Sequence, residues 1–226
     1  MKKANLLQRL LSRLAAGQQS TSNGGDKQTP PPIDTRLSGH VQRDLELIRS
    51  AFGESAELVI RSFQTARDER AATIFINGMV STPAIAQYVI APVMIDDSAD
   101  EPVAAEIEAI STLEEAIAGL TLGQCVLLRE RRPPVTCDVR NWAKRAVSTA
   151  EIEPTETGPM ESFIEDLSTN IVLLRRQLRT EKLQTEKFII GKESRTDVRV
   201  VYLRGIVRDE LVNEVSVEST RQPAKP

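Results

Sequence analysis

The stretch Ile74-Phe75-Ile76-Asn77-Gly78-Met79-Val80 returns 127 residues later as Val201-Tyr202-Leu203-Arg204-Gly205-Ile206-Val207. Apolar, aromatic, apolar, polar, glycine, apolar and valine recur in register without a gap. A repeat at a fixed offset marks a duplicated structural unit. Upstream of each copy lie a helical pattern, a strand pattern and a charged turn, Thr65–Arg70 (TARDER) in the first and Lys192–Thr196 (KESRT) in the second. Downstream, Thr82 and Asp209 are N-cap candidates for a following helix. The unit is therefore helix–strand–strand–helix, and the spacing predicts that Gly78 and Gly205 occupy matching turns where a side chain is excluded.

The elements of the first copy read outward from that glycine. Val41, Leu45, Ile48 and Phe52 are spaced for a helix that Gly53 stops. Leu58–Gln64 and Ala71–Asn77 are rich in β-branched residues and read as strands. A helix is expected from Thr82-Pro83 to about Met94, with proline in its first turn. Residues 96–116 then carry eight acidic side chains and no basic one. Adjacent carboxylates such as Asp96 and Asp97 offer a metal or acid–base reading, but no ligand-loop spacing accompanies them, so the segment reads as a solvated helical face. Leu113–Leu120 forms a short helix. Gly123–Arg129 and Val135–Arg140 then form a hairpin about Arg131, which sets Cys125 opposite Cys137 as packed thiols or, less fittingly for a reducing compartment, a disulfide. Trp142 reads as a core plug.

The second copy follows an acidic stretch broken at Thr157-Gly158-Pro159. A helix is expected over Met160–Leu178, with Phe163, Leu167, Ile171, Leu174 and Leu178 on its buried stripe. Arg175, Arg176 and Arg179 close it, where cations complement the helix C-terminus and could also hold a phosphate. Strands follow at Leu183–Ile190 and Val198–Leu203, then a helix from about Asp209. The sequence thus predicts an α/β (α+β) protein with two repeated helix–strand–strand–helix subdomains, the first completed by a β-hairpin and the second partial. The boundaries are 1–38 for a tail and linker, 39–150 for the first subdomain, 151–218 for the second and 219–226 for a C-terminal tail. In the tail, Leu6, Leu7, Leu10, Leu11 and Leu14 line one face of a basic amphipathic helix, and the polar run Gly17–Thr35 reads as a linker.

Composition narrows the function. With 226 residues, a net charge of −3 and eight aromatic residues, the chain has the wrong sign for duplex DNA and too few rings to stack single strands, so no nucleic-acid partner is expected. Two cysteines and the single His40 cannot close a Cys/His zinc site. The longest apolar run, Ile85–Ile95, is interrupted by Gln87 and Pro92 and falls short of the roughly 20 residues a membrane span needs. No cofactor is expected, and an enzyme working through Asp/Glu pairs is the weakest of the readings.

From Thr157 to Val215 the sequence resembles the cytoplasmic N-terminal region of the A subunit of GerA-type spore germinant receptors. The residues that carry the resemblance are Gly158, Pro159, Phe163, Thr169, Asn170, Arg175, Arg176, Gly191, Thr196, Asp197, Val198, Leu211, Val212, Glu214 and Val215. AFGESAELVIRSF, INGMV and DVRNWAKRAV extend it through the first half, to about residues 40–217. Met160 and Glu161 stand where the family usually has a basic residue. The resemblance implies a non-enzymatic module of two α/β subdomains that senses, assembles or transmits within a receptor of the spore inner membrane, with the other receptor subunits as partners. It also implies that the membrane region of the full subunit follows such a module, so a chain ending at Pro226 is expected to be either a fragment or a short form. Gly158, Pro159, Asn170, Arg175, Arg176, Gly191 and Asp197 are its binding or assembly candidates. The competing reading is a two-lobed module that closes on a small nutrient between the repeats.

Overall fold

The computed structural model describes residues 35–95, 101–140 and 163–220. Helix α1 (Val41–Phe52) ends where Gly53 takes φ 64°. Strands β1 (Leu58–Gln64) and β2 (Arg70–Ile76) form the first hairpin, with Leu58 opposite Ile76. After the Gly78 turn come α2 (Thr82–Ala84), a π-helix (Ile85–Ile90) and α3 (Ala91–Ile95). Strand β3 (Ile107–Ala109), helix α4 (Leu113–Thr121) and the hairpin β4 (Cys125–Arg129) and β5 (Val135–Cys137) complete this unit. The five strands run in the order β1-β2-β4-β5-β3, every pair antiparallel.

Strand β2 is buried on both faces, which explains its unbroken run AATIFI. Ala72, Ile74 and Ile76 join Ile48, Phe52, Ala116 and Leu120 in one core beneath α1 and α4. Phe75 points the other way, into a second core with Ile85, Val89, Val93, Leu127 and both cysteines. Cys125 and Cys137 are register partners, as the symmetry about Arg131 predicts, and both are free thiols.

The second unit repeats the first. Helix α5 (Leu167–Gln177) precedes strands β6 (Leu183–Ile190) and β7 (Thr196–Leu203), and α6 (Asp209–Thr220) follows the Gly205 turn. Gly78 and Gly205 have φ 84° and 82°. Met79 N–H bonds back to the Ile76 carbonyl, and Ile206 N–H to that of Leu203. Each strand of the second hairpin is one residue longer, so the offset between copies grows from 125 at β1 and β6 to 127 at β2 and β7.

Four expectations are corrected. The acidic stretch is not helical over residues 101–112: these form loop and bends and contribute β3, an edge strand paired to β5, and helix begins only at Leu113. Helix α5 starts at Leu167 rather than Met160, because Asp166 caps it by accepting from Thr169 N–H at 3.0 Å. Phe163 is therefore outside the helix and exposed, and Ile171, Leu173 and Arg175 are buried in place of Leu174 and Leu178. The helix after Gly78 is capped by Ser81 rather than Thr82, and it widens into a π-turn before Pro92. Pro92 has no N–H to offer the Tyr88 carbonyl, which instead accepts from Val103 N–H at 2.7 Å. Residues 1–34, 96–100, 141–162 and 221–226 lie outside the described residues, and with them the leucine-striped tail, the linker to Asp34, Asp96, Asp97, Trp142, Gly158, Pro159 and the C-terminal tail beyond Thr220.

Candidate functional site

The two repeats meet along a polar, buried seam. Its centre is Arg175, on the last turn of α5 and 2% exposed. Its Nε and Nη2 donate to Glu57 Oε2 at 3.1 and 2.8 Å, Nη2 also donates to Ser55 Oγ at 2.8 Å, and Nη1 donates to the Thr180 carbonyl at 3.3 Å. Glu57 Oε1 is buried with no partner among the described residues. The backbone of the same segment is tied in as well. The Glu57 carbonyl accepts from Asn77 N–H at 2.8 Å, and Ala56 N–H donates to the Thr185 carbonyl at 3.1 Å. Gln184 Nε2 donates to the Phe52 carbonyl at 2.8 Å, and Arg204 donates to that of Ala51.

Two glycines admit this contact. A Cβ on Gly53 would stand 2.9 Å from Arg204 Nη1 and 3.1 Å from Gln184 Oε1. A Cβ on Gly78 would stand 2.8 Å from Val172 Cγ2, and Val172 packs on the core beneath α1. Helix α5 thus serves the first unit's core with one side chain and its buried charge with another. Beside the seam lies a cleft of about 540 Å³ lined by Gly53, Glu54, Gln184–Phe188, Tyr202 and Arg204. In its wall Thr185 Oγ1 is buried and has no partner among the described residues. Burial and the hydrogen bond to Glu186 push the Tyr202 hydroxyl up to about 12.

The other sequence candidates fall elsewhere. Asn170 clamps the approach to α5, accepting from Ile164 N–H at 2.8 Å and donating to the Ile164 carbonyl at 2.7 Å. Arg176, the next residue of α5, is half-buried and takes no part in the contacts that Arg175 makes with Glu57 and Ser55. Gly191 turns the second hairpin at φ 88°, beside the Ser194 hydroxyl. Asp197 sits at the same hairpin end, held between Lys187 Nζ at 2.9 Å and Arg199 Nε at 3.1 Å, and the Lys187 contact foremost keeps its carboxyl below the usual range. His40 pairs with Glu130 at 2.9 Å on the surface. Among the described residues no three His, Cys, Asp or Glu side chains gather as a metal site, and no helix is long and apolar enough to cross a membrane. Ser55, Glu57, Gln184 and Arg204 were not legible as site residues, since each acts through a partner more than 100 positions away.

Residues 46–219 match the family model described as Bacillus/Clostridium GerA spore germination protein. The chain belongs to the GerA family. It is 26% identical over 192 residues to spore germination protein GerLA of Bacillus cereus, covering 79% of this chain and 39% of that one. It is likewise 26% identical to spore germination protein B1 of Bacillus subtilis, covering 80% and 40%. It therefore spans about two-fifths of the length of these GerA relatives. The crystal structure of the N-terminal domain of the A subunit of the Bacillus megaterium spore germinant receptor GerK3 has the same fold, with a TM-score of 0.63 at 20% identity, covering 84% of this chain and 74% of that domain.

Proposed function

We propose that this GerA-family chain is a non-catalytic module of a germinant receptor A subunit, acting in germinant signal transduction and receptor assembly. The observation that carries the reading is the buried Glu57–Arg175 pair, which fastens one repeat to the other. Parting the repeats gives up this charge-assisted pair together with the hydrogen bonds of Ser55, Gln184 and Arg204, so the two units are held as one body. A body of that kind transmits a displacement from one end to the other, whereas a hinge-closing binder needs lobes that part. Its partners are the other subunits of the receptor, and its place is the cytoplasmic face of the spore inner membrane, where the membrane part of a full-length A subunit holds it.

The test is to carry Arg175→Ala into the full receptor and follow nutrient-triggered germination, with receptor abundance measured alongside. The expected result is loss of the response at normal abundance, together with weaker co-purification of the partner subunits. A normal response sinks the proposal. The second reading, a small nutrient held in the seam cleft, is favoured by the polar side chains of Glu54, Lys187, Tyr202 and Arg204 among its lining residues. Saturable shifts of the Thr185 and Tyr202 signals in a ligand screen with amino acids, sugars and nucleosides would favour it over the transmission role.

A further inference from the structure

Cys125 and Cys137 are the chain's two cysteines, and the fold places them opposite each other on neighbouring strands. In an antiparallel sheet successive residues aim their backbone groups alternately at the two neighbouring strands. Ile110 N–H donates to the Pro134 carbonyl and Asp138 N–H to that of Glu106, so the even-numbered residues from 134 to 138 face β3. Val135 and Cys137 therefore face β4, and Cys137 forms a hydrogen-bonded pair with its register partner Cys125. Such a pair sets its Cα atoms about 5.5 Å apart, a spacing at which disulfides are common. Both side chains enter the same core, with Phe75, Leu127 and Val139. Charge on the Cys137 sulfur raises the proton affinity of Cys125, which puts the two sulfurs within electrostatic reach. Their cover is unequal. Cys125 lies on β4 between β2 and β5, whereas Cys137 is covered by the three-residue edge strand β3, whose Ile107 is its register partner.

We propose that Cys125 and Cys137 are a redox staple: a dithiol at rest that becomes a cross-strand disulfide when β3 lifts in the presence of a low-molecular-weight disulfide. The Cys137 thiol gives its proton to water, and its sulfur attacks the small disulfide, forming a mixed disulfide and releasing one thiolate. The Cys125 sulfur, deprotonated in turn, attacks the Cys137 sulfur of that mixed disulfide and expels the second thiolate. Two protein thiols are oxidised and one small disulfide is reduced to two thiols. Cys137 goes first because β3 uncovers it and because Arg129 favours its thiolate. The staple acts beyond its own hairpin. The β4–β5 turn holds the start of α1: Glu130 meets His40 Nδ1 at 2.9 Å and accepts from Val41 N–H at 3.3 Å, and Arg131 N–H donates to the Gly39 carbonyl at 2.8 Å. Cross-linking β4 to β5 fixes the base of that clamp. The inference rests on strand register and does not depend on the receptor reading.

The test incubates the reduced, full 226-residue chain with glutathione disulfide, blocks the remaining thiols and maps the digest by mass spectrometry without reduction. The expected product is a Cys125–Cys137 cross-link within one chain, formed faster as urea below the unfolding transition populates the opened sheet. The cross-linked chain is expected to melt roughly 5 °C or more above the reduced one, because the bond closes a short loop in the unfolded chain. Glu108→Pro changes an exposed side chain and removes one β3–β5 hydrogen bond, and is expected to speed the cross-link about fivefold. A chain that retains both thiols, stops at mixed disulfides or joins to a second chain overturns the proposal. So does a cross-linked form that melts no higher than the reduced one, or a rate indifferent to Glu108→Pro.

Discussion

Glu57 Oε2 and Arg175 Nη2 lie 2.8 Å apart although their residues are 118 positions apart in the chain, and both side chains are sealed from solvent. One belongs to the segment leading into β1, the other to the helix leading into β6, so the clasp joins unequal places of the two repeats: at the offset of 125 the counterpart of Glu57 is Lys182 and that of Arg175 is Ser50. The pair is a point where the duplicated units are dissimilar in charge and complementary in contact.

Removing one partner of such a pair leaves the other charged and dry. Arg175→Met is expected to cost about 3–5 kcal/mol of unfolding free energy in urea titrations, with Glu57→Leu added to it recovering most of the loss. A single-variant cost below about 1 kcal/mol, the range of an exposed ion pair, would show that the clasp contributes little.

The two turn glycines separate backbone strain from steric contact. Both Gly78→Ala and Gly205→Ala force a Cβ into the left-handed region, costing about 1–2 kcal/mol. Only Gly78→Ala also drives that atom against Val172, so it is expected to lose about a further 1 kcal/mol or more through overpacking. Equal melting temperatures for the two variants would mean that α5 gives way without cost.

Burial pushes the Cys137 thiol up to about 12 and the Cys125 thiol, which also lies beside Cys137, further still. Thiolate is the reactive form, so neither cysteine is expected to react with an aromatic disulfide reagent at mildly alkaline pH until the sheet opens. Both should be titrated at once in denaturant. Rapid labelling of the native protein would contradict the packing of β4 against β5.

Tyr202 supplies a pH dependence with a defined sign. Its hydroxyl is raised from 10.0 to about 12 by burial first and by the bond to Glu186 second. A group with a raised folded pKa stabilises fully below its unfolded value and loses that contribution as pH rises through the folded one. The melting temperature is expected to fall between about pH 10 and 12, and Tyr202→Phe is expected to flatten that fall. Phenolate absorbance in a Tyr88→Phe background reads the ionisation directly.

The repeat was legible because each turn takes a glycine at positive φ just after a strand, which fixes the register in which the two copies align. The cysteine register was legible because the hairpin is symmetric about Arg131, whose φ of 57° marks the turn. Strand β3 was not, since Ile107-Glu108-Ala109 is short and its neighbours are acidic; pairing with β5, not propensity, makes it a strand. Phe163 extended an apparent apolar stripe past the point where Asp166 begins the helix, which displaced the expected buried face. With that face displaced, Arg175 looked like an ordinary cation at a helix end. Its partner lay in another repeat, and sequence spacing carries no signal for contacts at that range.

The reach of α5 into the first unit bears on how the chain is made. During synthesis β1, β2 and the Gly78 turn leave the ribosome well before Val172 and Arg175 do, so the early unit waits with Glu57 unanswered and the ground beside Gly78 uncovered. The N-terminal half can still bury its two cores at that stage, because their buried members all come from residues 41–139, but its seam closes only when the later repeat arrives. A protease cut between the repeats would return the first to that earlier state, its cores built and its seam open.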